Sequence, residues 1–119
     1  MTPDDYNAFC RALPHTTHVV QWGGADVWKI GGKVFAIGFW NTGGRPGITF
    51  KVSEIAFEVL SDTPGCRPAP YLASRGMKWI QNYDDPGLSD AALKEHIKAS
   101  YDLVAAGLTK KLRRELGFE

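Results

Sequence analysis

The spacing of apolar residues near the start of the chain predicts an α-helix. Residues 2–5, Thr-Pro-Asp-Asp, supply a capping hydroxyl, a proline at the first helical position and acidic residues for the first turn. The apolar residues that follow recur at steps of three or four and form one face: Tyr6, Phe9, Cys10 and Leu13. Pro14 ends the pattern. We therefore expect a first helix that runs to about Leu13.

The central part of the chain changes to a period of two, which predicts strands. β-Branched and aromatic residues dominate there, and glycines punctuate them, so we predict strands over residues 18–22, 26–30, 33–40 and 48–52. Gly31 and Gly32 offer the positive φ values that a tight hairpin requires. In the last of these strands Ile48 and Phe50 alternate with Thr49. The alternation predicts a sheet with one buried face and one wet face.

The second half of the chain predicts further helices on that sheet. Ser53 caps a helix that runs to about Leu60, and the proline-rich residues 66–75 are expected to be irregular. Residues 77–82 have the composition of a last strand, and Ser89 caps a final helix. The apolar stripe of that helix is Leu93, Ile97, Tyr101, Val104, Leu108 and Leu112. Gly107 and Thr109 break or bend it before a basic segment at 110–114. The fold class is α+β, an antiparallel sheet covered on one face by helices, in a single domain over residues 1–119.

Composition narrows the class of protein only a little. The apolar share of 44% and the charged share of 23% are ordinary for a globular protein. Fourteen Lys and Arg against thirteen Asp and Glu give a net charge of +1, so any cationic surface must come from local clustering. Cys10 and Cys66 are too few for a disulfide framework. No signal peptide or membrane-length apolar run is seen, and we expect a cytoplasmic protein with no membrane partner.

Several local motifs, spread over most of the chain, resemble those of one known family. They are residues 31–36 (Gly-Gly-Lys-Val-Phe-Ala), 48–51 (Ile-Thr-Phe-Lys), 70–72 (Pro-Tyr-Leu), 78–80 (Lys-Trp-Ile) and 100–104 (Ser-Tyr-Asp-Leu-Val). In order and spacing they resemble the MmcQ/YjbR family of small bacterial proteins. The resemblance implies a frataxin (CyaY)-like fold and a "double wing" DNA-binding arrangement, with no established enzyme activity. Frataxins bind iron on an acidic ridge, and because the first helix here offers little beyond Asp4 and Asp5, iron binding is not carried over.

Binding of nucleic acid is the functional hypothesis that these observations favour. Basic residues on the wet face and at the hairpin tips are the candidates for phosphate contacts: Lys29, Lys33, Arg45, Lys51, Arg75 and Lys78. An exposed Trp40 or Tyr71 is a candidate for stacking on a base. The competing interpretation is that the cations are solvating charges and the aromatic residues belong to the core. The basic segment 110–114 is a separate candidate, although cations are also common at helix C-termini because of the helix dipole.

Residues that match the family motif admit two interpretations. Tyr71, Trp79, Ser100 and Tyr101 either line a pocket or pack structurally. We favour packing, in which a hydroxyl of Ser100 or Tyr101 ties the last helix to the loop at residues 70–71.

The sequence offers no constellation for catalysis or metal binding. His15 and His18 have no Cys, Asp or Glu at ligand spacing, and His96 is expected on the solvent side of its helix. Gly31, Gly32 and Lys33 lack the spacing of a phosphate-binding loop. We expect no catalytic residue, cofactor or metal, and a non-enzymatic DNA-binding module. The alternative is a protein-interaction or small-ligand-binding adaptor, and the oligomeric state stays open, compatible with a monomer.

Overall fold

An antiparallel six-stranded sheet, in the order β1-β2-β3-β4-β6-β5, organises the chain. The structure is a computed structural model that describes residues 1–40, 47–70, 72 and 76–118. The elements are α1 (Pro3–Ala12), β1 (Thr16–Gln21), β2 (Ala25–Ile30), β3 (Lys33–Phe39), β4 (Gly47–Lys51), α2 (Glu54–Ser61), β5 (Cys66–Pro68), β6 (Trp79–Asn82), α3 (Asp90–Ala106) and α4 (Lys110–Glu115). Side chains from all four helices join the core on one face of the sheet. The predicted α+β fold is therefore confirmed.

The ends of the elements follow the local signals of the sequence. The hydroxyls of Thr2, Ser53 and Ser89 each accept a backbone N–H at a helix start, as expected. Two elements differ from expectation. The proline-rich stretch expected to be irregular contains β5, and the expected basic tail is helix α4, because Thr109 caps a new helix after the break near Gly107.

The main core lies between the sheet and the helices. The α3 residues of the predicted stripe pack there, together with Tyr6 and Cys10 of α1. The inward side chains of the sheet complete it: Trp28, Ile30, Phe35, Ile48, Phe50 and Ile80. Burial of apolar area on this scale, at roughly 25 cal/mol per Å², is the main force that holds the helices on this face.

The second face of the sheet is less wet than the alternation predicts. Ala25, Val27 and Ile37 form a smaller buried cluster there, against which Leu72 packs from the segment between β5 and β6. Thr49 is also buried, at 2% exposed. The alternation correctly assigns residues to the two faces of the sheet. It does not reveal that Leu72, from a segment distant in sequence, packs on the second face.

Ser100 joins α3 to two strands where their pairing ends. Its hydroxyl donates to the carbonyl of Phe35 at 2.7 Å and accepts from the backbone N–H of Lys51 at 2.9 Å. The side chain is fully buried. These hydrogen bonds tie α3 to β3 and β4; Tyr71 of the loop expected to be the partner lies outside the described residues.

Replacing Ser100 by alanine should lower the free energy of unfolding by about 2–6 kcal/mol. The change leaves a buried carbonyl and a buried N–H without their partner, and each such group costs about 1–3 kcal/mol. Urea unfolding followed by circular dichroism measures the difference. Ala99→Ser, on the exposed side of the same helix, is the matched control, and a Ser100→Ala protein as stable as the wild type would contradict the prediction.

No helix within residues 1–40, 47–70, 72 and 76–118 combines the length and the apolar character needed to cross a membrane.

Candidate functional site

Antiparallel pairing gathers basic residues at one end of the sheet. Lys29 and Lys33 flank the β2–β3 hairpin, and the tip of that hairpin at Gly31 lies against Leu108 and Leu112, so α4 sits beside it. Lys51 ends β4, and its neighbour in sequence, Val52, donates a backbone hydrogen bond to Lys78 at 2.9 Å. We call this region the cationic end; its residues are Lys29, Lys33, Lys51, Lys78, Lys110, Lys111, Arg113 and Arg114.

Acidic residues gather at the opposite end of the sheet. The first turns of α1 and α3 meet there, since the N-terminal amine of Met1 forms an ion pair with Asp90 at 2.9 Å and the Tyr6 hydroxyl donates to the Asp26 carbonyl at 3.0 Å. We call this region the acidic end; its carboxylates are Asp4, Asp5, Asp26, Asp84, Asp85 and Asp90. Eight of the fourteen basic residues and six of the thirteen acidic residues thus belong to two separated regions of opposite sign, in a chain whose net charge is only +1.

Few carboxylates approach the cationic end. Glu54 begins α2 and Glu115 ends α4. Asp102, on the outer side of α3, already forms an ion pair with Lys98 at 2.6 Å. Among the described residues, Lys29, Lys33, Lys51 and Lys78 form no ion pair with a carboxylate, and unpaired cations gathered in one region attract a polyanion.

Most of the predicted phosphate-binding residues can be placed. Lys29 and Lys51 lie on the second face of the sheet, one on each side of β3, about 10 Å apart at two strand spacings. Lys33 is exposed at the hairpin, whereas the ammonium of Lys78 lies 4.8 Å from the centre of the Phe57 ring. Within the described ranges, none of these lysines forms an ion pair. Arg45 and Arg75 lie outside the described residues.

Sequence reasoning missed Arg67, which lies on the same face near the far edge of the sheet. Its Nε donates to Oε1 of Gln81 at 2.9 Å, and its guanidinium lies 4.0 Å from the centre of the Tyr83 ring. Tyr83 remains 38% exposed. The signal was hidden because β5 has only three residues and ends in Pro68, too few for alternation to be recognised.

Trp40 is not the exposed stacking residue that was expected. It is half-buried, its ring packs edge-on against Tyr6 at 5.3 Å, and its Nε1 donates to the carboxylate of Asp26 at 2.6 Å. The expectation was wrong because α1 covers this end of the sheet and supplies a partner for the indole.

Asp26 is the centre of a polar network that the sequence did not reveal. Its carboxylate accepts hydrogen bonds from Trp40, from Nε2 of His18 at 2.7 Å and from the amide of Asn7 at 3.2 Å, while Asn7 in turn accepts from Trp28 at 2.8 Å. The side chain of Asp26 is only 16% exposed. Burial raises the pKa of the Asp26 carboxyl, but the hydrogen bonds lower it by more, so the pKa lies below its ordinary value of 3.8.

The lowered pKa makes the Asp26 network sensitive to acid. A carboxyl whose pKa is lower in the folded state contributes stability above its unfolded pKa and loses that stability as the pH falls through the folded pKa. We expect the gap in unfolding free energy between the wild type and Asp26→Asn to narrow as the pH is lowered from about 5 to about 2. Urea titrations at several pH values measure the gap, and a gap that stays constant would contradict the prediction.

The other described residues of the family motif, Trp79 and Tyr101, are buried side chains. The Tyr101 hydroxyl donates to the carbonyl of Pro14 at 2.6 Å and so ties α3 to the end of α1. Trp79 is 5% exposed, and its buried Nε1 has no hydrogen-bond partner among the described residues, unlike the indoles of Trp28 and Trp40. Tyr71 lies outside the described residues.

The histidines are dispersed. His15 packs against Phe118 with ring centres 5.8 Å apart, and His18 bonds to Asp26. His96 is not on the solvent side as expected; it is half-buried and stacks on Phe50 at 5.4 Å, and this burial lowers its pKa, opposed by Glu95. In the part of the chain that the structure describes, no three His, Cys, Asp or Glu side chains are placed to hold a metal ion.

A cleft of about 560 Å³ opens at the acidic end. Trp40, Tyr83 and Leu88 border it together with Asp84 and Asp90. Its described lining contains no histidine, cysteine or lysine. The cleft is therefore chemically distinct from the cationic end and lies on the other side of the molecule.

Comparison with known proteins gives one family and one fold. A sequence model of the family described as YjbR matches residues 11–103. The crystal structure of Deinococcus radiodurans protein DR2400, described as a DUF419 domain, is similar with a TM-score of 0.81 and 26% identity, over 98% of this chain and 88% of that chain. No curated protein matches this chain.

Proposed function

This chain belongs to the YjbR family, and from the charge distribution of its fold we propose that it binds nucleic acid, duplex DNA in particular, through the cationic end, without a catalytic step. The separation of charge between the two ends of the sheet is the observation that carries the proposal. A protein with a net charge of +1 holds a polyanion only if its cations collect in one region. Here the strand ends and α4 collect them.

The geometry favours recognition of the phosphate backbone over readout of bases. Long, flexible lysines dominate the cationic end, and lysine meets a phosphate as a point charge without fixed geometry. The aromatic candidate Trp40 is engaged with Asp26, which removes it as a stacking residue. We therefore expect DNA binding that depends little on sequence and strongly on salt.

Fluorescence anisotropy with labelled duplexes of unrelated sequence tests this proposal. If four lysines each neutralise one phosphate, affinity should fall about 100-fold between about 50 mM and about 200 mM salt. Binding that is absent at low salt, or that does not change with salt, would exclude the proposal. Single-stranded DNA of equal length serves as a comparison for the duplex.

Among the described residues, the cleft at the acidic end favours the alternative of a small-ligand-binding adaptor. Its volume lies in the range of ligand pockets, about 300–1,000 Å³, and its aromatic and acidic lining suits an organic cation. Because the cleft and the cationic end are separate, the two functions can be told apart. A ligand held in the cleft would be unaffected by charge reversal at Lys33 and Lys51, which should strongly weaken DNA binding.

A further inference from the structure

The outer edge of β1 is a long, unprotected strand edge. Within the described residues β1 pairs only with β2, through all six of its residues and without a bulge. It contains no lysine, acidic residue or proline, which are the usual protections of an exposed edge. Val20 is 58% exposed. The other edge strand, β5, has only three residues and ends in Pro68. Short length and a proline protect that edge of the sheet, whereas the edge of β1 has neither protection.

The flank of α1 beside this edge carries a charge at each end. Asn7 accepts a hydrogen bond from Trp28, and Arg11 lies 5.3 Å from the centre of the same ring, on which His18 of β1 also packs. Asp4 lies one turn before Asn7 and shares this flank by its helical spacing. The flank is therefore acidic at the start of α1 and basic at its end.

We propose that β1 pairs antiparallel with β1 of a second copy of this chain, which makes one continuous sheet through the dimer. Unpaired backbone N–H and C=O groups are satisfied best by another strand. A two-fold axis perpendicular to the sheet keeps the helices of both copies on the same side, and it makes the contact surface identical in the two copies.

The alternation of side chains restricts the register of this pairing. Residues directly opposite each other must share a face, so the axis must pass through a residue pair and not between residues. An axis centred on Val19 pairs Val19 with Val19 of the second copy, Thr17 with Gln21, and His18 with Val20. Centred on His18, it would set two imidazoles against each other. The register centred on Val19 thus keeps the two His18 rings apart and covers the exposed Val20.

Charge complementarity on α1 supports a second copy as the occupant. α1 runs antiparallel to β1, since Tyr6 reaches Asp26 at one end and Pro14 precedes Thr16 at the other. The two-fold axis therefore sets the two α1 helices antiparallel, and Asp4 of each copy comes to the side of Arg11 of the other. The flank is self-complementary only when it meets itself in this orientation.

Sedimentation equilibrium over a range of protein concentrations tests the dimer. The wild type should associate to a dimer, and Val20→Lys should weaken association at least 10-fold because it places a charge at the strand edge. Ile55→Lys, on an exposed site of α2, is the matched control and should associate like the wild type. A wild type that stays monomeric, or a Val20→Lys protein that associates as tightly, would overturn the proposal.

A mixing experiment tests the charge contact without relying on a single variant. Asp4→Lys and Arg11→Glu should each weaken self-association, because each sets like charges against one another across the axis. An equal mixture of the two should associate more tightly than either variant alone, since opposite charges then meet at both contacts. A mixture that associates no better than its components would overturn the proposed orientation.

Discussion

Charge reversal of Lys33 and Lys51 should weaken binding of duplex DNA by about 100-fold, or roughly 2.7 kcal/mol at about 1.4 kcal/mol per factor of ten. Each change removes one phosphate contact and adds a repulsive charge. Lys33→Gln with Lys51→Gln should reduce affinity less and lower the slope of log K against log salt by about two, at about one per lost contact. Anisotropy titrations at several salt concentrations measure both quantities.

The control for this experiment keeps the net charge equal. Lys94→Glu with Lys98→Glu reverses two exposed lysines on α3, outside the cationic end. If DNA responds only to the total charge, both double variants should lose the same affinity. The proposal requires the variant at Lys33 and Lys51 to lose much more, so equal losses would contradict it.

Replacement of Asp26 by leucine is expected to lower the free energy of unfolding by about 3–5 kcal/mol: three donors lose their acceptor, each at about 1–3 kcal/mol when buried, and their partial exposure keeps the sum at the low end. The donors are those of Trp40, Asn7 and His18. Small domains are stable by only about 5–15 kcal/mol, so the variant approaches the limit of folding. Chemical denaturation followed by tryptophan fluorescence reports the loss.

Asp102→Leu provides the comparison for Asp26. Asp102 is 57% exposed and pairs with Lys98 on the surface of α3, and an exposed pair contributes only about 0–1 kcal/mol. The two variants remove the same kind of group, one from a network and one from the surface. Similar losses of stability would mean that the network around Asp26 contributes little.

The sequence predicted most of the fold because its signals are local. A period of two, a period of three to four and a capping hydroxyl each depend on neighbouring residues. Thus the caps at Ser53 and Ser89 and the stripe through Ile97 and Tyr101 were correctly placed. β5 was missed because three residues carry no period.

The candidate site was harder to predict because its parts come from distant segments. Asp26 was visible only as the start of a strand, and its partners are Asn7 of α1 and Trp40, which directly follows β3. Likewise, a count of charges cannot reveal how they are distributed. Lys29 and Lys51 share one end of the sheet only because β2, β3 and β4 pair in their observed register.

Separation of charge also sets the way in which a ligand is approached. The ends of the sheet are about 20 Å apart, the length of a six-residue strand, while electrostatic screening at physiological salt acts over about 8 Å. A polyanion at the cationic end is thus screened from repulsion by the carboxylates of the acidic end. The separated charges give the protein a permanent dipole moment, which orients it toward an approaching polyanion before contact. Its association rate constant should therefore be higher than its net charge implies.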